Sequence, residues 1–427
     1  MKRPEDYESI TTLDISYENL TELPSWVSEC KNLENLKCDN NRITQIYNLP
    51  PKLTLLNCFS NKITQINNLP STLEILYCSS NYIIKIDYLP TKLKTLYCQC
   101  NQITHLDNLP PTLEILYCCN NKITKLDNLP QTLKILNCDN NQITYLDNLP
   151  ASIEELYCIK NNITQLDNLP QTLEILDCEY NLITNLDNLP PILKKLYCSY
   201  NQIMHLDILP ITLKELYCRY NNITQLDNLP PTLEILYCSN NKIIKIDNLP
   251  QTLKQLDCDF NQITQLNNLP YKLKELYCNN NKITQLDNLP AKLTELICQF
   301  NNITDLNNLP ITLEILYCEY NLITNLDNLP KTLQKLYCGY NNIIHLNILP
   351  QTLEILDCPG NQITQLDNLP LTLEILQCCS NNIKELDNLP PKLKRLKCYF
   401  NPLKYEFEHK LENIKNYNIQ KQNKLPK

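Results

Sequence analysis

The feature that most limits what this chain can become is a period of twenty residues that never slips. Residues 111–130, PTLEILYCCNNKITKLDNLP, recur in lightly edited form without insertion or deletion from Leu33 to about Leu403. With Leu113 as position 1, Leu116 is position 4, Cys118 position 6, Asn121 position 9, Ile123 position 11, Leu126 position 14, and Leu129-Pro130 positions 17 and 18. A fixed period of this length marks a solenoid, in which each repeat buries its apolar edge only against its neighbours. Length alone would predict two or three domains for 427 residues. The unbroken period predicts one elongated array instead.

The internal order of the repeat predicts its path. Nineteen strands are expected at positions 3–5, centred on Leu36, Leu56, Leu76 and onward to Leu396. Strand alternation turns position 4 and the following cysteine inward and positions 3, 5 and 7 to the other, concave face. Asn at position 9, from Asn41 to Asn401, can donate and accept along the stack where each strand turns away. Asp-Asn-Leu-Pro at positions 15–18 then predicts an extended or polyproline-like return, because proline fixes φ and restrains its predecessor. About nine residues separate position 11 from the next repeat, too few for a helix.

Three segments follow from this. Residues 1–32 hold a polar lead-in and an irregular first repeat, with a short helix expected at SWVSECKNL, Ser25 as its N-cap and Trp26 and Val27 as a lid. Residues 33–403 are the tandem array. Residues 404–427 are expected to form a capping helix carrying Phe407, Leu411 and Ile414, followed by a polar tail that frays.

Twenty-three cysteines would signal disulfides in a small secreted protein, but nineteen of these stand at position 6. Stacked parallel strands hold such side chains ~4.8 Å apart and parallel, unsuited to a relaxed disulfide. Reduced core thiols are expected. Cys100 and Cys119 lie off the ladder in adjacent repeats and are placed to meet.

The net charge of −8 argues against nucleic acid as a partner. No stretch approaches a membrane span and the start lacks a signal sequence, so an intracellular chain is expected. No nucleophile–base set, paired-carboxylate pocket or glycine-rich loop stands out, only two glycines being present. An active site also needs one unlike constellation on an otherwise uniform array. Neither an enzyme, a cofactor nor a metal site is predicted. His105, His205 and His345 share position 13 but are repeats apart. The position-15 aspartates, such as Asp127, Asp167 and Asp227, read as turn caps. Lys392, Lys394, Arg395, Lys397 and Lys404 make a local basic cluster of the kind that is usually solvated.

Binding chemistry is concentrated in the aromatic residues. Position 5 is tyrosine in ten of nineteen repeats: Tyr77, Tyr97, Tyr117, Tyr157, Tyr197, Tyr217, Tyr237, Tyr277, Tyr317 and Tyr337. Position 8 adds Tyr180, Tyr200, Tyr220, Phe260, Phe300, Tyr320 and Tyr340. Tyrosine gives large contact area with a hydroxyl at low entropic cost, which suits a protein-binding surface. The competing account is that tyrosine simply favours strands and is common in a chain of this composition.

These residues carry a resemblance. The L-x-x-L-x-C-x-x-N-x-I-x-x-L-x-x-L-P frame resembles the leucine-rich repeat family, in its shortest, twenty-residue class, known from secreted effectors of bacterial pathogens. The Asn/Ile/Lys-rich cysteine-ladder version looks most like leucine-rich repeat proteins of giant amoebal DNA viruses. The resemblance implies a solenoid of the α/β horseshoe class: one parallel sheet on the concave side, thin convex returns, short capping helices, and a non-catalytic scaffold that binds a protein, such as one of a host. It also implies action in a host cytoplasm, or association with a virion. The ubiquitin-ligase domain of some bacterial members has no counterpart, since no cysteine follows Cys398. A structural or packaging role without a dedicated partner is the alternative.

Overall fold

A computed structural model describes residue 3, residues 5–346 and residues 348–423. Among them are twenty three-residue strands: β1 (Thr12–Asp14) and then β2 to β20 at positions 3–5 of successive repeats, from Asn35–Lys37 to Arg395–Lys397. Two further elements are a 3-10 helix, Ser25–Glu29, and α1, Leu411–Asn423. Contacts divide the chain into two compact units, Met1–Ile203 with Ile208–Leu216, and Met204–Asp207 with Tyr217–Lys427.

In the first unit the strands pair in parallel from Thr12↔Asn35, then Asn35↔Leu55, to Ile175↔Lys195. In the second they pair from Ile235↔Gln255 to Ile375↔Arg395. Every regular step is twenty residues, so like stacks on like. Within a repeat, Leu113, Leu116, Cys118 and Ile123 are wholly buried, and Leu126 and Leu129 nearly so. Six inward side chains per repeat at ~1.5–3 kcal/mol each supply the gross driving force of each coil.

Buried polar groups are satisfied by the asparagine column. Asn121 Nδ2 donates to the carbonyls of Cys98 and Cys118 at 3.0 Å, and Asn121 Oδ1 accepts the Ile103 amide at 2.9 Å. The same set recurs at Asn81 with Cys58, Cys78 and Ile63. The cysteines are free and the ladder members are buried. Cys58 Sγ donates to the Tyr77 carbonyl at 3.3 Å, and burial pushes its thiol well above the ordinary range. Among the described residues the returns contain no helix and no strand beyond the isolated bridges Ile46↔Ile66 and Ile66↔Ile86; each closes on a turn in which the position-18 proline carbonyl accepts the position-1 amide, as Pro110 does from Leu113 at 3.1 Å.

Both ends depart from expectation in detail. Trp26 and Val27 are buried. Ser25, however, is the first helical residue rather than the N-cap; Pro24 precedes it, no side chain caps the helix, and the Ser25 carbonyl accepts the Ser28 hydroxyl. Phe407 is not in the final helix, which begins at Leu411. The reason is that the preceding backbone still follows the array, Lys404 N donating to the Lys384 carbonyl at 3.0 Å. Phe407 instead packs with Tyr405 and Tyr417, while Ile414 is buried. Lys415 Nζ and Asn418 Nδ2 donate to the Leu393 and Leu386 carbonyls, tying α1 to the last repeats. Of the tail expected to fray, residues 424–427 lie outside the described residues.

Candidate functional site

Strands such as β6 and β16 bury their position-4 leucine and leave positions 3 and 5 half-buried on the opposite, solvent face, while Asp257 is buried at position 5 of β13 and Leu396 of β20 is only half-buried. The expected tyrosines therefore lie on one face within each unit, in several groups. In the first unit Tyr77, Tyr97 and Tyr117 stack with ring centroids 4.7 and 4.9 Å apart. Tyr157 donates its hydroxyl to Glu155 at 2.9 Å, and Tyr197 to Glu215 at 3.5 Å. In the second unit Tyr317 and Tyr337 stack at 4.1 Å, Tyr217 meets Tyr237 edge-on at 4.9 Å, and Tyr277 donates to Glu275 at 3.1 Å.

The position-8 residues form a second line beside these. Tyr180 stacks on Tyr200 at 4.0 Å in the first unit. In the second, Phe300, Tyr320 and Tyr340 make a column at 4.3 and 4.4 Å. Tyr340 then covers Gly360, where an added Cβ would lie 2.6 Å from the ring. Tyr220 and Phe260 are likewise exposed, and the seven rings are 37–52 % exposed.

Backbone geometry at position 8 was not anticipated. Every regular repeat takes φ between 49° and 63° there, the left-handed region. Asn40, Asn120, Asn140, Asn240, Asn280 and Gly360 at this position were the available signal, because asparagine and glycine tolerate that conformation. Most position-16 asparagines, such as Asn108 and Asn128, adopt it too. The chain turns before Leu-Pro through that asparagine, and among the described residues no backbone amide donates to Asp127, Asp167 or Asp227.

Carboxylates interleave with the rings. Burial raises Asp177 to about 7 and Asp259 to about 6, and raises Asp139, Glu319 and Asp357 as well. Half-buried Arg219 meets an acid and a ring together: its Nη2 lies 2.5 Å from Asp257 Oδ2, and its guanidinium sits 4.6 Å from the Tyr237 ring centroid. Among the described residues no three histidine, cysteine or acidic side chains converge to hold a metal, and no helix is long and apolar enough to cross a membrane.

Parallel three-residue strands, a repeated asparagine column and extended returns define a leucine-rich repeat solenoid. The chain belongs to the leucine-rich repeat family. A family model for leucine-rich repeats in two copies matches residues 231–271. The structure is similar to YopM from Yersinia enterocolitica, at 32 % identity and a TM-score of 0.87, over 93 % of this chain and 89 % of that one. It is also similar to CroV588, described as a novel circular leucine-rich repeat protein, at 25 % identity and a TM-score of 0.62, over 86 % of this chain and 62 % of that one. The functional domain of InlJ from Listeria monocytogenes, described as including a cysteine ladder, shares 26 % identity at a TM-score of 0.50, over 89 % and 70 % of the two chains. No curated protein sequence matches.

Proposed function

We propose that the chain is a non-catalytic scaffold that binds a protein through the aromatic face of its sheet, with residues 33–403 as the working array and residues 1–32 and 404–427 as its lids. The observation that carries this reading is the choice of residue at position 8. A left-handed backbone costs a bulky side chain roughly 1 kcal/mol relative to asparagine or glycine. Tyr180, Tyr200, Tyr220, Phe260, Phe300, Tyr320 and Tyr340 all adopt it, with their rings exposed. Composition left asparagine available, since it fills the same position in other repeats. Strand propensity does not account for the choice either, because position 8 lies beyond the strand. A ring held in that conformation and turned to solvent is better explained by what it touches than by what it does for folding. The position-5 tyrosines beside it widen the same surface.

We place this action inside a cell, in a host cytoplasm. The free, buried ladder thiols suit a reducing compartment. The test is affinity capture from a host-cell lysate with the chain and with a variant carrying Tyr200, Tyr220, Tyr320 and Tyr340 replaced by serine. Loss of the captured protein at nearly unchanged thermal stability is expected. Capture that persists in the folded variant would rule out this surface.

A further inference from the structure

We infer that the partner presents arginine side chains, and that the sheet face holds two preformed guanidinium receptors, Asp139–Tyr157–Asp177 in the first unit and Glu319–Tyr337–Asp357 in the second. This rests on the scaffold reading and names the chemistry that the scaffold selects.

The argument begins from Arg219. Its guanidinium bonds to the Asp257 carboxylate at 2.5 Å and lies over the Tyr237 ring, 4.6 Å from the centroid. A planar cation between an anionic acceptor and an aromatic face is the arrangement that favours arginine over lysine. The three residues occupy position 7 of one repeat, position 5 of the next and position 5 of the one after. The same Tyr and Asp recur at the same spacing as Tyr157 with Asp177 and as Tyr337 with Asp357. In both, however, the residue in the place of Arg219 is an acid, Asp139 or Glu319. The internal cation is replaced by a second anion. Each trio offers a tyrosine ring and two carboxylates with no arginine of its own.

What the carboxylates do meet supports this. Among the described residues none of Asp139, Asp177, Glu319 and Asp357 is in an ion pair. Asp139 accepts the Ile159 amide, Asp177 the Glu179 amide and Asp357 the Gln377 side-chain amide, while Glu319 Oε2 is buried without a partner. Burial raises all four acids, as expected of anions left without a counter-charge. Tyr337 stacks on Tyr317 through one face, which leaves the other for a cation. Bidentate capture by two acids over a ring is geometry that an ammonium reproduces less well.

The experiment is fluorescence anisotropy with a capped Arg-Ser repeat octapeptide, against its Lys-Ser and Glu-Ser counterparts, at physiological ionic strength. The arginine peptide should bind at two sites, at least about tenfold more tightly than the lysine peptide. Tyr337→Leu with Asp357→Asn should remove one site, and adding Tyr157→Leu with Asp177→Asn the other. Tyr237→Leu with Asp257→Asn, which alters the self-filled trio, should leave both. Arg219→Glu, which gives that trio its second carboxylate, should open a third site, a gain that loss of folding cannot imitate. Equal binding of the arginine and lysine peptides, or retention of both sites in the quadruple variant, overturns the inference. Dimerisation of the chain that disappears with the same substitutions would make the occupant a second copy and overturns it as well. Capture lost with the position-8 serine variant, but no arginine binding, would leave the scaffold reading standing and this one refuted.

Discussion

At the scale of single residues, the sequence disclosed which side chains face inward but not the sign of φ at position 8. Leu113, Leu116 and Cys118 announce themselves because burial selects composition. A left-handed turn selects only against bulk, and here the aromatic residues override that selection. The strain is open to measurement. Phe260 has φ 51°, is 52 % exposed and, among the described residues, stacks on no other ring. Phe260→Asn should therefore raise stability by about 1 kcal/mol in urea unfolding. Tyr320 takes a similar φ of 55° but stacks on both Phe300 and Tyr340. For Tyr320→Asn the relief is offset by two lost stacks at ~0.5–1.5 kcal/mol each, so no gain is expected. A Phe260→Asn variant less stable than the parent would show that the backbone at position 8 is not strained.

At the scale of elements, strands and returns were legible because a fixed period leaves each residue type one environment. The ends were less so. Apolar spacing placed Phe407 on a helix, but the competition between helix and one more array hydrogen bond, from Lys404 to Lys384, cannot be seen in spacing. Ser25 matched the composition of an N-cap, yet a single 3-10 turn after Pro24 needs none. The asparagine column is the element whose role was both legible and testable. Asn121→Ala would strand the Ile103 amide in the core and remove one of two asparagine donors from each of the Cys98 and Cys118 carbonyls, which keep Asn101 and Asn141. The unpaired amide costs ~1–3 kcal/mol and each of the two lost bonds ~0.5–1.5 kcal/mol, so a loss of about 2–4 kcal/mol is expected in urea. A drop of under about 1 kcal/mol, within the range of a single ordinary hydrogen bond, would mean that water or relaxation replaces the column.

At the scale of the whole molecule, charge was legible as a sum but not as a placement. A net charge of −8 says that acids are in excess; it does not say that several lie half-buried on the sheet face. That placement sets how stability varies with pH. Burial raises Asp177 to about 7 and Asp259 to about 6, against ~3.9 for an exposed aspartate, and raises Asp139, Glu295, Glu319 and Asp357 in the same direction. Between the unfolded and folded values the native chain therefore binds more protons than the unfolded one. Stability must then fall as pH rises through that window, opposite to the acid denaturation of proteins whose carboxylates are ion-paired. Self-repulsion among the excess acids acts in the same sense. The urea midpoint is expected to be higher at pH 5 than at pH 8, and Asp177→Asn with Asp259→Asn should flatten the difference. A cation seated on the first-unit receptor would neutralise Asp177 without a proton, so the arginine octapeptide should stabilise the parent more at pH 8 than at pH 5. A midpoint that rises with pH would mean that these carboxylates are solvated or paired in the native state, and that the face is not the poorly compensated anionic surface from which partner selection is argued.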